Sequence, residues 1–479
     1  MTETSAADAP AEQNGTTPAL CTWTDGGPDK DWTLRVILPA SHIPAEAAPG
    51  VEREIFASLN GVTDRRHVPG GIMVRRSVPA DVVDGTDGGD GADGAEATTH
   101  SIELTVPRGY RGALRFLPVP RGLQVADRPT WLDALERGFV PAGDHGLREV
   151  TDMRRTQVLE ISAPDARPLI WTGGDEPASE VHWGDDPTSQ APRGAGDEPT
   201  SQALDEAVDG RPTTEEHVVT LGSSPRRIWI HRPQRGPASA PVLIVFDGER
   251  FIRGGLLTGI DELVSPPSVV IAVDHAPVGE GGPDEDAAIG QRADDLVMNP
   301  RFCDDVLALV RRTAPDAKAR TIVAGASYGG LAAAFFSLRH PEAFRGICLS
   351  PSFWESDDQG RRIWDLAPSR SDDRSDGTDG ESESHESEPL EAVAHPTFCV
   401  DHGTLETVIA DSVAEATEEF AARGIDIVSR PFVGGHEYLW WRDLLLGRLG
   451  EALGHGAPAS LRRGEPTPLG HGTPASQSE

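Results

Sequence analysis

The chain has 479 residues, enough for two domains with their own cores, and a formal net charge of −34. A chain this acidic repels phosphate backbones, so nucleic acid is excluded as the expected partner, and an anionic ligand would need a local basic patch. No apolar stretch approaches the ~20 residues of a membrane span. Met1 to Ser5 are polar without the apolar segment of a secretory signal, so the cytoplasm is the expected compartment.

Residues 1–18 are small and polar and are expected to be disordered. Residues 19–165 carry short apolar runs broken by Gly, Pro and Asp: Thr33 to Leu38, Glu54 to Leu59, Gly71 to Arg75, Ser101 to Val106 and Ala113 to Leu117. Such spacing predicts a small β-sandwich, with the Gly/Asp-rich stretch from Asp81 to Thr98 as a loop between two of its strands. Residues 166–214 hold a local repeat, Gly184 to Gln190 and again Gly196 to Gln202, too poor in apolar residues to build a core. They are expected to be an acidic linker.

From residue 215 to 453 strand-like runs alternate with helical stretches. The runs are His217 to Leu221, Arg227 to Ile230, Val242 to Phe246, Ser268 to Val273, Thr321 to Ala324, Gly346 to Leu349, Thr397 to Val400 and Ile425 to Val433. That alternation predicts an α/β domain with a mostly parallel, doubly wound sheet. A second acidic insert, 369–388, interrupts it, and a Pro/Gly/Ser-rich tail, 454–479, follows. The four cysteines are scattered and none is paired at metal-ligand spacing; Cys348 and Cys399 sit in apolar runs and are expected to be buried thiols. Asp274-His275 reads as a strand-end pair and not as a ligand set, so neither a metal nor a cofactor is expected. Lys30 and Lys318 are the only lysines, leaving arginine as nearly every cation.

The chemistry is concentrated at Gly325-Ala326-Ser327-Tyr328-Gly329. A β-branched run leads into it and Leu331-Ala332-Ala333-Ala334-Phe335-Phe336 follows, giving the strand, sharp turn and helix of a nucleophile elbow. Ser327 is therefore the candidate nucleophile. Its base should follow in the chain. His340 precedes Pro341 at the end of the elbow helix and reads as a cap; His385, His455 and His471 lie in polar low-complexity stretches; His395 and His402 flank the next strand, too early for the expected order. His436 lies in Gly434-Gly435-His436-Glu437, on a glycine loop after a late strand and before an amphipathic helix from Tyr438. It is the candidate base.

Asp401 and Glu406 both lie past the apolar part of the Thr397–Val400 strand, and either carboxylate could orient the imidazole. Glu406 stands beyond the glycine turn, where a side chain can return toward the histidine loop. Together the three groups would perform acyl transfer: His436 takes the Ser327 proton, the carboxylate holds the tautomer, and backbone amides stabilise the oxyanion. One amide is expected from Tyr328 and the other from the Asp247–Arg250 loop, at Gly248.

Several stretches carry a resemblance. Val245 to Phe251, Val323 to Leu331, His340 to Phe344 and Gly434 to Glu437 with Trp441-Arg442 are similar to segments of the enterochelin esterase family, cytoplasmic esterase D-like α/β-hydrolases. Arg292-Ala293-Asp294-Asp295-Leu296 resembles that family's Arg-x-x-Glu-Leu element, with Asp295 where Glu is usual. Leu59 to Asp64 and Tyr110 to Pro118 resemble its N-terminal β-sandwich. The linker, both acidic inserts and the tail lie outside the resemblance, and Tyr328 stands where Phe is more usual.

The resemblance implies a serine esterase that cleaves the ester bonds of a ferric tris-catecholate siderophore or its linear fragments, so that iron can be released. Iron would then be part of the substrate. The resemblance also favours Glu406 as the acid. It makes Arg65, Arg250, Arg292 and Arg442 candidates for binding the anionic complex, with Arg66 beside Arg65, although each could be a surface arginine or a structural ion pair. Two other readings share the residues: an esterase acting on a feruloyl or acyl-sugar ester, and a catalytically weak siderophore-binding protein.

Overall fold

The computed structural model describes residues 20–28, 30–45, 47, 52–79, 96–142, 145–152, 156–169, 212–263, 265–275, 285–317, 319–367, 397–425 and 427–454. The acidic insert 369–388, the repeat within 166–214 and the tail after Gly454 fall outside them, as do His385, His395, His455 and His471. The chain divides into two compact units, one built on residues 1–150 with 156–166, the other on 151–155 with 167–479.

The first unit is a small β-sandwich of two four-stranded sheets. One has the order β1 (Cys21–Asp25), β2 (Trp32–Pro39), β5 (Glu96–Val106), β4 (Val74–Pro79); the other β3 (Arg53–Leu59), β6 (Arg111–Pro120), β8 (Gln157–Ser162), β7 (Glu149–Thr151). Alternation in β2 is plain: Leu34, Val36 and Leu38 are buried while Arg35 faces out. Phe56, Val68, Leu117 and Val119 pack with Ala126 and Ala134 into one apolar cluster. Two expectations shift here. Gly71 to Met73 lead into β4 without belonging to it, and β5 begins at Glu96, so the predicted loop 81–98 ends sooner. The helix α1 (Arg128–Glu136), with Asp127 as its cap and a proline in its first turn, was not expected from apolar spacing.

The second unit is an α/β-hydrolase domain around an eight-stranded sheet of order β16-β15-β14-β13-β11-β12-β10-β9. The strands are β9 (Thr213–Leu221), β10 (Ser224–Arg232), β11 (Val242–Phe246), β12 (Val269–Val273), β13 (Thr321–Ala326), β14 (Phe344–Leu349), β15 (Phe398–Gly403) and β16 (Val428–Phe432). β9 and β10 run antiparallel, and β10 meets β12 antiparallel; every pairing from β12 through β11 to β16 is parallel. The helices are α2 (Gly248–Arg253), α3 (Leu256–Asp261), α4 (Glu285–Leu296), α5 (Pro300–Thr313), α6 (Tyr328–Arg339), α7 (Thr407–Ala422) and α8 (Tyr438–Ala452).

The unbroken apolar runs of the central strands follow from cover on both faces. In β11, Val242, Ile244 and Phe246 pack with α5, α6 and α7, while Leu243 and Val245 pack with α2, α3 and α8. β12 divides the same way, Val269, Ile271 and Val273 to one side, Val270 and Ala272 to the other. Each such aliphatic side chain contributes about 1.5–3 kcal/mol by burial.

Helix α8 was expected to be amphipathic, but it is buried without a break from Tyr438 to Gly450. Its polar residues are matched inside the domain. Arg448 pairs with Asp401, Asp443 accepts from Arg167, and Arg442 donates to the Gly254 carbonyl.

Candidate active site

The parallel strands all end at one edge of the sheet, and the turns that leave them carry the site. Asp247 and Gly248 follow β11, Ser327 follows β13, Ser350 and Ser352 follow β14, Glu406 follows β15, and the Gly434-Gly435-His436 loop follows β16. Neighbouring strands in space thus deliver residues far apart in sequence to a single row.

Ser327 sits at the N-cap of α6 with φ 58° and ψ −118°, the strained geometry of a sharp elbow. Two glycines permit it. A Cβ on Gly325 would lie 2.6–2.8 Å from the backbone of Gly329, and one on Gly329 would press on Phe246 at 3.3 Å. The Ser327 amide donates to the Leu349 carbonyl, and the Ser352 amide donates to the Ser327 carbonyl, which ties the elbow to the end of β14. The Ser327 hydroxyl is 3.2 Å from that of Ser352 and half-buried.

Glu406 Oε1 lies 2.5 Å from His436 Nδ1. The carboxylate is almost fully buried, whereas the histidine side chain is 40 % exposed, so the ring joins a buried acid to the surface. The other oxygen, Oε2, accepts from the Ser350 hydroxyl at 2.8 Å and from the Gly403 amide. Asp401, the rival acid, is engaged elsewhere. Both its oxygens take Arg448, at 2.7 Å each, inside the domain.

The expected oxyanion donors head the first turns of two helices. Tyr328 opens α6 and Gly248 opens α2, positions whose amides have no acceptor within their helix. One ion pair braces both. Asp247, buried and with φ 54°, precedes Gly248, and its carboxylate takes Arg292 in a two-point contact at 2.6 and 2.7 Å. Arg292 also donates to the Ala326 carbonyl, just before the nucleophile, and lies 5.3 Å over the Tyr328 ring. Burial pushes the Asp247 carboxyl upward, but Arg292 outweighs it and holds the group well below the usual carboxylate range.

The candidate arginines separate. Arg250 is exposed in α2 and has no ion-pair partner among the described residues. Arg292 was expected at the substrate or in a structural ion pair, and its guanidinium is committed to Asp247. Asp295 takes Arg226 in a two-point contact and His275 Nδ1 at 2.9 Å. Arg442 was also expected at the substrate, but it is buried against Gly254 and Tyr438 because α8 has no solvent face there. Arg65 belongs to the first unit, where it is half-buried and donates to the Ala126 carbonyl; Arg66 is exposed and pairs with Asp64.

A cavity of about 940 Å³ opens beside Tyr328, lined by Met298, Phe335, Leu338, Glu355 and Asp357 among others. The Tyr328 hydroxyl donates to Glu355 at 2.9 Å. Among the described residues one group could approach metal-site geometry, Cys303, Asp304 and His340. Burial pushes the Cys303 thiol up, and Arg339 and His340 already engage Asp304 and hold its carboxyl down to about 2. Cys348 is buried as expected, whereas Cys399 is half-buried. No described helix is long and apolar enough to cross a membrane.

Sequence reasoning passed over Ser350, Ser352 and Trp441, and gave Asp247 no role of its own. A polar cluster directly after the apolar strand Gly346–Leu349 was the available signal for the two serines; Trp441 was noted only beside Arg442 in the resemblance, with no role attached.

Residues 223–452 match the model of the family described as "Putative esterase". An iron(III) enterobactin esterase of Dickeya dadantii is 28 % identical over 234 residues, 46 % of this chain and 50 % of that protein. The iron(III) enterobactin esterase of Escherichia coli K12 is 32 % identical over 145 residues, 27 % of this chain and 33 % of its own length. The aligned stretches thus span half or less of these curated relatives. The fold extends further. The Shigella flexneri enterobactin esterase structure obtained in the presence of enterobactin superposes with a TM-score of 0.57 at 18 % identity, covering 92 % of this chain and 97 % of that one. The ferric enterobactin esterase of Salmonella typhimurium gives 0.57 at 17 % identity, covering 90 % and 97 %. Residues 223–452 are thus an esterase domain by their family match, and the chain shares its sandwich-plus-hydrolase fold with the enterobactin esterase structures across nine-tenths of its length.

Proposed function

We propose that the protein is a serine esterase that hydrolyses the ester bonds of a ferric catecholate siderophore of the enterobactin type, freeing iron in the cytoplasm. The observation that carries the reading is the 2.5 Å contact of Glu406 with His436 Nδ1, at the sheet edge where Ser327 stands on its elbow. With Nδ1–H given to the carboxylate, Nε2 is the base.

The steps follow from these groups. His436 removes the Ser327 proton as the hydroxyl attacks the ester carbonyl, and the amides of Tyr328 and Gly248 receive the oxyanion. The imidazolium then protonates the leaving alkoxide, and a water activated by the same ring cleaves the acyl-enzyme. The Ser327–Ser352 contact describes the free enzyme, in which catalytic hydrogen bonds are commonly not yet aligned.

The substrate class rests on the relatives' names and on one local charge. A ferric tris-catecholate carries about three negative charges, and the exposed Arg250, without an ion-pair partner among the described residues, supplies a cation two residues from Gly248. Four free thiols suit a reducing compartment.

The test is hydrolysis of ferric and iron-free enterobactin by the purified protein, resolved by chromatography, with Ser327→Ala beside it. Serine-dependent release of linear dihydroxybenzoyl-serine species is expected. No turnover of either form, with Ser327 still labelled by a fluorophosphonate, would keep the hydrolase and discard the substrate; absence of labelling as well would leave a siderophore-binding protein.

A further inference from the structure

We propose, building on the esterase reading above, that Ser350 is a positioning residue that sets the direction in which Glu406 presents its carboxylate to His436, with Trp441 fixing the Ser350 hydroxyl in turn. Ser350 leaves β14 one strand away from β15, whose exit turn carries Glu406. Its amide continues the pairing of those strands by donating to the Asp401 carbonyl at 2.6 Å. Its φ is 43°, in the left-handed region that favours glycine, and the residue is fully buried. A glycine would satisfy that backbone better. What serine adds is the hydroxyl.

That hydroxyl has a determined polarity. The Trp441 indole N–H, which can only donate, points at Ser350 Oγ from 2.9 Å. The Ser350 proton is therefore left for Glu406 Oε2, at 2.8 Å, where the Gly403 amide also donates. Two donors on Oε2 stop the carboxylate from rotating and leave Oε1 facing His436 Nδ1. Trp441 completes the arrangement from the other side, since its ring meets the imidazole edge-on, with centroids 4.6 Å apart and planes at 83°. One indole thus touches the base directly and reaches the acid through one hydroxyl.

The discriminating variant is Ser350→Gly, which suits the positive φ and removes the hydroxymethyl side chain. Relative to wild type, kcat on p-nitrophenyl butyrate and the rate of fluorophosphonate labelling of Ser327 should each fall about tenfold or more, as misaligned catalytic groups do. KM should stay within about twofold, and Tm should fall only modestly, because relief at the positive φ offsets part of the hydroxyl's lost hydrogen bonds. The downfield proton resonance of His436 Nδ1–H should move. Trp441→Phe, which keeps a ring against His436 but loses the N–H, should give a smaller loss. The double variant should be no worse than Ser350→Gly alone, because both act through one hydroxyl. Should Ser350→Gly fold poorly, Ser350→Ala is read by the same labelling rate and resonance.

Wild-type kcat, labelling rate and resonance in Ser350→Gly, with Glu406→Gln and Ser327→Ala inactive, would overturn the positioning role and leave the esterase reading intact. Turnover retained in Ser327→Ala would remove that reading, and the role of Ser350 with it.

Discussion

Asp401 and Arg448 form a two-point ion pair inside the hydrolase domain, with both contacts at 2.7 Å and both side chains almost fully buried. The pair ties the sheet strand β15 to the buried helix α8, and it removes one of the two carboxylates that the sequence offered to His436. Deleting one partner of such a pair strands a buried charge at a cost of about 3–5 kcal/mol. Asp401→Ala is therefore expected to lower Tm and soluble yield while the folded fraction keeps its specific activity. Glu406→Ala should do the reverse, with kcat down about 10³–10⁴-fold and Tm little changed. Thermal melts and active-site-titrated kinetics on the two variants separate the roles, and the opposite pattern would exchange them.

Gly325 is packed against the Gly329 backbone, where an added Cβ would lie 2.6–2.8 Å from main-chain atoms that cannot yield cheaply. Gly325→Ala should displace the elbow. Loss of fluorophosphonate labelling together with a lower Tm is expected, and normal labelling would show that the turn tolerates a wider approach.

The Asp247–Arg292 pair predicts a pH dependence of stability. Asp247 is depressed below its ordinary value of 3.8, so the native state binds fewer protons than the unfolded chain. Its contribution is complete above that value and drains away as the pH falls toward the native one. Asp247→Asn should flatten the fall in stability below about pH 4, measured by urea unfolding across pH, besides costing about 3–5 kcal/mol at neutral pH. An unchanged acid slope would mean that other carboxylates dominate it.

Arg292→Lys tests the same brace kinetically. Lysine cannot reproduce the fork that holds Asp247 while reaching the Ala326 carbonyl. A drop in kcat of about ten- to a hundredfold with KM nearly constant is expected if the pair aligns both oxyanion amides. A change confined to KM would instead assign Arg292 to substrate binding.

Arg250 and Arg442 should respond in opposite ways. Arg250→Glu is expected to raise KM for ferric enterobactin, more so at low salt, while turnover of a neutral aryl ester is unaffected. Arg442→Ala should destabilise the fold, since the guanidinium is buried against Gly254 and Tyr438. Equal KM values for the anionic substrate in wild type and Arg250→Glu would place the substrate's charge elsewhere.

Much of the architecture was legible because it is encoded locally. Apolar runs buried on both faces marked every strand from β11 to β15, and Gly-x-Ser-x-Gly between a β-branched run and a helix former marked the elbow. Glycine turns after late strands likewise gave His436 and a short choice of acids. That α8 is buried from Tyr438 to Gly450 was not legible, since the burial of Arg442, Asp443 and Arg448 depends on partners at Gly254, Arg167 and Asp401 far away in the chain.

The amino-acid sequence by itself determined the two-layer sandwich, the hydrolase sheet and the elbow that carries Ser327, since strand and turn signals depend on residues within a few positions. Only the tertiary structure decided which carboxylate meets His436, which arginines face solvent and which buried serine holds the acid. Those choices are made by residues 30 to 188 positions apart, from Glu406 with His436 to Arg442 with Gly254. A hydrogen bond between them exists only once parallel strands bring their ends to one edge, and no local pattern in the chain records that meeting.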